Sequence, residues 1–152
     1  MLACCWSGTA NGGGGQNLDR HGHNLLVVDD QAGVRRLLFE ALVDEGMHVE
    51  LAASGPEALQ KIKKNAVDLV LLDMRMPGMS GLDVLRELRK LNPDLPVIMM
   101  TAYGELDLVA EAKRQGVRHY LNKPFDLQEV RYLVKALLPE KQSAGLYMEE
   151  IG

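Results

Sequence analysis

Four short apolar segments in this chain each stop on residues able to carry chemistry, and helical patterns separate them. Leu25-Leu26-Val27-Val28 stops on Asp29-Asp30, and Leu69-Val70-Leu71-Leu72 stops on Asp73. Val97-Ile98-Met99-Met100 stops on Thr101, and Tyr120-Leu121-Asn122 stops on Lys123-Pro124. Apolar runs of strand length fit strands covered on both faces, as in parallel sheets flanked by helices.

The segments between them carry helical spacing. Val34, Leu37, Leu38, Ala41 and Leu42 recur as one helix face, and Gly46 is a stop. His48 to Ala52 reads as a short second strand. Ser54-Gly55-Pro56-Glu57 predicts a capping box with proline in the first turn, opening a helix through Ala58, Leu59 and Ile62. Asp68 to Asp73 is the third strand. After the Pro77-Gly78-Met79-Ser80-Gly81 turn, Ser80 and Asp83 stand as cap and third residue of a helix carrying Leu82, Leu85, Leu88 and Leu91. Asn92-Pro93 ends it, and Pro96 to Thr101 is the fourth strand. A helix over Glu105 to Gln115 stops at Gly116, followed by a fifth strand over Arg118 to Asn122. Asp126-Leu127-Gln128-Glu129 caps the last helix, which ends before Pro139. This alternation predicts an α/β fold, a parallel sheet with helices on both faces and right-handed crossovers.

Bulk properties narrow the function. At 152 residues, with 47% hydrophobic and 25% charged residues, one domain with a sizeable core is expected. A net charge of −4 without a basic run gives no reason to expect nucleic-acid binding. No apolar run approaches the roughly 20 residues that a spanning helix needs, so no membrane association is expected. Residues 1–23 read as a disordered leader or cloning remnant, 24–139 as the folded domain and 140–152 as a flexible tail. Cys4 and Cys5 are adjacent within the leader, which leaves no disulfide framework and no C-x-x-C motif, and a cytoplasmic location is expected.

If the strands are parallel neighbours, their carboxyl ends gather three carboxylates, a hydroxyl and an ammonium at the edge where open α/β sheets bind ligands. Clustered acids repel unless a cation sits among them, and Mg²⁺ takes oxygen ligands of this kind. Asp29 and Asp30 can both serve such a site only if the strand ends there, since neighbours on a strand face opposite ways; either could instead cap the next helix. Asp73 ends a wholly apolar strand, where an unpaired buried charge is costly. It could cap the following turn, or act as a nucleophile toward phosphorus. Lys123 could neutralise phosphoryl oxygens as a point charge, with Pro124 restricting its geometry and open to a cis bond.

The order Asp-Asp, Asp, Thr, Lys-Pro, each at its own strand end, resembles the receiver domain of bacterial response regulators. The resemblance covers Asn24 to about Pro139. It implies a five-stranded parallel sheet in the order 2-1-3-4-5, the flavodoxin-like winding. It further implies that Asp73 accepts a phosphoryl group and that Asp29, Asp30, Asp73 and the main-chain carbonyl of Arg75 hold Mg²⁺. Thr101 and Lys123 would grip the phosphoryl group, with Thr101 and Tyr120 as switch residues. Val28-Asp29-Asp30-Gln31, Leu71-Leu72-Asp73-Met74, Pro77-Gly78-Met79, Met100-Thr101-Ala102-Tyr103-Gly104-Glu105-Leu106-Asp107 and Lys123-Pro124-Phe125-Asp126 are similar to single-domain receivers of sporulation-type phosphorelays. Those carry histidine at the switch position, where this chain has Tyr120, as chemotaxis-type receivers do; His119 falls on the other face.

The implied partners are a sensor histidine kinase and either a histidine phosphotransferase or another downstream protein, with the chain itself a monomer. A kinase-type helical bundle could dock on the first helix near Gly33, Val34 and Leu37. Arg75 and Tyr103 stand two residues beyond Asp73 and Thr101, where they could crowd a hydrolytic water and slow self-dephosphorylation. A chemotaxis-type regulator that signals by binding alone fits the same residues. An aspartyl-nucleophile phosphatase would need a second aspartate where Arg75 stands. A receiver cut from a DNA-binding regulator is a further reading, disfavoured by the helix close at Leu137-Leu138-Pro139 and a tail without linker charge.

Overall fold

A computed structural model describes residues 22–102 and 104–138. Strands β1 (Asn24–Val28), β2 (His48–Ala52), β3 (Leu69–Asp73), β4 (Val97–Thr101) and β5 (His119–Asn122) alternate with five helices. These are α1 (Ala32–Val43), α2 (Gly55–Lys64), α3 (Gly81–Leu91), α4 (Leu106–Arg114) and α5 (Leu127–Leu137). All strand pairs are parallel, in the order β2-β1-β3-β4-β5. The expected fold class and strand order are therefore observed. Cys4, Cys5, Tyr103 and the tail 140–152 lie outside the described residues.

Burial explains the order. The continuous apolar runs form the inner strands: β3 and β4 are buried at every residue, and β1 at all but its first. The more polar β2 and β5 take the edges, where the outer side is only partly covered. Side-chain alternation then divides the core into two layers. Leu26, Val28, Val70, Leu72, Val97 and Met99 pack with α2, α3 and α4, against Ala58, Leu85, Leu88 and Ala112. Leu25, Val27, Leu69, Leu71, Ile98, Met100 and Leu121 face α1 and α5, against Leu38, Leu42, Val130 and Val134.

The local signals act largely as read. Ser80 and Asp83 form a reciprocal capping box at α3, with Ser80 N–H donating to Asp83 Oδ2 at 3.1 Å and Asp83 N–H to Ser80 Oγ at 3.2 Å. At α2 the box is shifted: Glu57 N–H donates to Ser54 Oγ at 3.4 Å, but the Glu57 carboxylate takes the N–H of Ala53, one residue earlier than expected. Gly46 and Gly116 fall at the helix stops with φ of 88° and 94°. Leu37, placed by its spacing on the packed face of α1, is 44% exposed. The α1 stripe is narrower than its apolar count: Leu38, Ala41 and Leu42 are buried, Val34 and Phe39 pack half-buried against the same layer, and Leu37 falls outside it. Gly22 and His23, expected within the leader, are described, and the His23 carbonyl accepts from His48 N–H at 2.9 Å, extending the β1–β2 pairing.

One glycine fixes the approach of α3 to the sheet edge. The loop after β3 folds back so tightly that Gly81 N–H donates to the Met74 carbonyl at 2.9 Å. A Cβ on Gly81 would lie 2.1 Å from the Asp73 carbonyl oxygen and 2.9 Å from Met74 Cα. Both are main-chain atoms, so no side-chain rotation relieves the overlap. Gly81→Ala is therefore expected to destabilise the fold by about 1–3 kcal/mol through forced backbone displacement. Urea denaturation checks it; an unchanged midpoint would show that α3 can shift freely.

Candidate functional site

Because β1 and β3 are adjacent, the loops that follow them open side by side at the carboxyl edge. β1 ends at Val28, so Asp29 and Asp30 fall in the turn before α1 rather than on a continuing strand. That break lets two sequence neighbours turn toward one site. Asp29, Asp30 and Asp73 each offer a carboxylate oxygen, and these oxygens lie within 4.8 Å of one another. Asp29 is fully buried and Asp73 nearly so, while Asp30 is exposed and lies toward the mouth.

Lys123 follows β5, beyond β4 from the acids, yet its side chain spans the edge. Nζ donates to Asp29 Oδ2 at 2.7 Å and to Asp73 Oδ1 at 3.2 Å. Its main-chain N–H donates to the Thr101 carbonyl at 2.7 Å, and the Lys123–Pro124 bond is cis. Asp29 Oδ1 also accepts from Gln31 N–H at 2.9 Å, so each of its oxygens has a donor. Burial pushes the Asp73 carboxyl up from 3.8 to about 6, helped by the negative charge of Asp29 and only partly opposed by Lys123 and the Arg75 N–H. The geometry explains the partial compensation, since the ammonium sits closer to Asp29 than to Asp73. Burial disfavours the Lys123 ammonium, but its bond to Asp29 and the charges of both carboxylates hold its pKa above the ordinary lysine value.

Thr101 and Tyr120 occupy the opposite face of the sheet. Thr101 is buried at the end of β4, in register with Asn122, and its hydroxyl donates to Asn122 Oδ1 at 3.0 Å. Tyr120 is half-buried against the core layer under α4, and its hydroxyl donates to the Val117 carbonyl at 3.2 Å and, more weakly, to that of Val109 at 3.4 Å. Burial pushes its phenol pKa up.

Two partnerships escaped sequence reading. Glu105, expected as the first residue of a helix, is instead a buried carboxylate just before α4. It accepts from Ala102 N–H at 3.0 Å and from Arg75 Nε, tying the loop after β4 to the loop after β3. The Arg75 guanidinium is thus held toward α4, and the side chain remains 70% exposed. Its expected companion Tyr103 lies outside the described residues. The second is Asn122, which spacing alone marks only as a strand end. A cross-strand pairing of β4 and β5 would have exposed it.

The donor set fits a hard divalent cation: three carboxylates converge at an open mouth with no sulfur or imidazole among them. One of the three, Asp73, is a buried potential nucleophile, the Lys123 ammonium is fixed beside it, and the Thr101 hydroxyl ends the next strand on the alternate face. Such a group of residues can accept and hold a phosphoryl group, and it defines a metal-assisted phosphoacceptor class.

The chain belongs to the response regulator receiver domain family, whose profile matches residues 25–135. It is 45% identical over 119 residues to sporulation initiation phosphotransferase F of Bacillus subtilis (strain 168), covering 78% of this chain and 96% of that protein. It is 40% identical over 118 residues to the DNA-binding transcriptional regulator NtrC of Escherichia coli (strain K12), of whose length it spans only 25%. Among solved structures, the Vibrio cholerae chemotaxis protein CheY4 superposes with a TM-score of 0.73 at 30% identity, over 76% of this chain and 98% of that one. Among the described residues no helix is long and apolar enough to cross a membrane.

The raised Asp73 pKa has a definite sign. The folded state holds this proton more tightly than the unfolded chain, so its stabilising contribution is complete below about pH 3.8 and lost as pH rises through about 6. Asp73→Asn is therefore expected to stabilise the metal-free fold at pH 8, by about 1–3 kcal/mol for a shift of this size. It should give little gain at pH 4. Urea denaturation in chelator at both pH values measures this, and equal gains at both would refute it. Added Mg²⁺ should raise the unfolding midpoint of the unsubstituted chain far more than that of the variant.

Proposed function

We propose that the chain is a stand-alone phosphorelay receiver, acting as a cytoplasmic monomer. On this reading Asp73 takes a phosphoryl group from a histidine of a sensor histidine kinase and yields it to a histidine phosphotransferase. The observation that carries the reading is Lys123 Nζ at 3.2 Å from a buried Asp73, with two further carboxylates beside it. The coverage of sporulation initiation phosphotransferase F along nearly its whole length favours the relay.

The residues divide the work. An Asp73 oxygen attacks phosphorus, the nitrogen–phosphorus bond of the donor histidine breaks, and the imidazole leaves with the electron pair and takes up a proton. The product is an acyl phosphate on Asp73. Lys123 then exchanges part of its contact with Asp73 for a phosphoryl oxygen, retaining Asp29 as its anchor. Thr101 offers its hydroxyl to another oxygen. Asp29, Asp30, Asp73 and the Arg75 carbonyl are the groups that would hold Mg²⁺, which supplies charge neutralisation at the phosphoryl oxygens. Return to a second histidine runs the same displacement backwards.

Tyr120 favours a second reading, a chemotaxis-type regulator whose phosphorylated surface binds a target without passing the group on. Its ring is already seated against the core layer beneath α4, the position from which such a surface is controlled.

Incubation with a phosphorylated histidine kinase, or with acetyl phosphate and Mg²⁺, should label the chain. Asp73→Asn should abolish the label, and Lys123→Ala should slow labelling by about 10²-fold, the usual scale for removing one preorganised charge-stabilising group. Transfer of label to an added histidine phosphotransferase supports the relay. A stable label with no transfer favours the binding regulator, and failure to label removes both.

A further inference from the structure

We propose that Asn122 is a positioning residue that holds the Thr101 hydroxyl away from the phosphoryl site until Asp73 is modified; the inference rests on the phosphoacceptor reading above. Thr101 and Asn122 end adjacent parallel strands in register, so their side chains leave the same face of the sheet. The Thr101 hydroxyl carries one proton, and it is committed to Asn122 Oδ1 at 3.0 Å. Asp73 lies on the alternate face, in phase with Leu69 and Leu71 under α1 and α5, whereas Thr101 is in phase with Val97 and Met99 under the other helices. For Thr101 to donate to a phosphoryl oxygen, its hydroxyl must leave Asn122.

The exchange has a definite direction. In the resting chain the proton goes to a neutral carboxamide oxygen; in the phosphorylated chain it would go to an anionic oxygen, a stronger acceptor. Asn122 therefore stabilises the resting arrangement selectively and sets how far the switch lies toward it. The asymmetry in exposure suits this role. Thr101 is 3% exposed, so its hydroxyl cannot fall back on bulk water when it lacks a partner, while Asn122 is exposed and its carboxamide can. Losing the contact penalises the threonine more than the asparagine.

The main chain supports the same pairing. Lys123 N–H donates to the Thr101 carbonyl at 2.7 Å, so the residue that reads the charge on Asp73 is tied to the residue whose hydroxyl must move. Asn122 ends β5 just before Lys123, bonds the Thr101 hydroxyl, and makes no hydrogen bond to Asp29 or Asp73. It acts through Thr101.

The test is a double-mutant cycle on the full chain, with the rate of Asp73 labelling by acetyl phosphate in Mg²⁺ as readout. Asn122→Ala in the unsubstituted background should raise the rate by about three- to tenfold, the scale of one lost net hydrogen bond in the resting state. In a Thr101→Val background, which has no hydroxyl to hold, the same substitution should change the rate less than about twofold. A purely structural role for Asn122 would alter both backgrounds alike and would overturn the proposal. So would a slower rate in Asn122→Ala, which would mean that the carboxamide assists the phosphorylated form. If the unsubstituted chain labels but Asn122→Ala matches it, this inference fails and the phosphoacceptor reading stands. If the unsubstituted chain does not label, both fall.

Discussion

One ammonium between two buried carboxylates sets the terms for the rest of the carboxyl edge. Lys123 Nζ contacts Asp29 at 2.7 Å and Asp73 at 3.2 Å, and the shorter contact leaves Asp73 the less compensated of the two acids. Removing the ammonium would leave two buried carboxylates uncompensated, at far greater cost than the arrangement itself contributes, whereas neutralising Asp73 leaves Lys123 paired with Asp29. The edge therefore tolerates Asp73 as a carboxyl with a raised proton affinity, and a cation or a phosphoryl group changes its electrostatics more than it would at a neutral site. Local instability and chemical competence come from the same charges.

The sheet order makes this arrangement possible. With β1 and β3 adjacent, the two loops carrying the acids leave the sheet next to each other, on opposite faces for their following helices. This is the switch point of an open α/β sheet, where a crevice forms without any special loop. Lys123 reaches in across β4, and only a long flexible side chain could do so from that distance in the sheet. Gly81 keeps the far wall close, since any side chain there would push on the carbonyl of Asp73 itself.

Much of this was legible in the sequence because each signal was local. Apolar runs marked the inner strands, Ser80 and Asp83 marked a helix start, and the acids stood where strands ended. Strand order itself came from family resemblance; periodicity cannot give it, although the polar residues in β2 and β5 agree with their edge positions. What stayed hidden depended on pairing across sequence distance. Glu105 looks like any acid opening a helix until the loops after β3 and β4 are brought together, when it becomes the buried partner of Arg75. Leu37 looks like core because helical spacing counts residues and takes no account of how wide the covered stripe is.

Thr101 and Tyr120, read from the sequence as switch residues, stand in different conditions. The Tyr120 ring is already packed against the core layer and its hydroxyl is bonded to main-chain carbonyls of the α4–β5 segment. Thr101 is bonded laterally to β5 through Asn122 and not toward Asp73. On the proposed reading, a mechanism in which hydroxyl and ring swing inward together would find the ring already packed against the core layer. What remains is a change of acceptor for one hydroxyl, with Ala102, the next residue, held by Glu105 at 3.0 Å and Arg75 joined to the same carboxylate. Any displacement of Thr101 then pulls on a loop that is tied to the residue two positions past Asp73. On the phosphoacceptor reading, a change at Thr101 would reach the start of α4 through the Glu105 bridge as well as through the Tyr120 ring, because both are anchored to that segment.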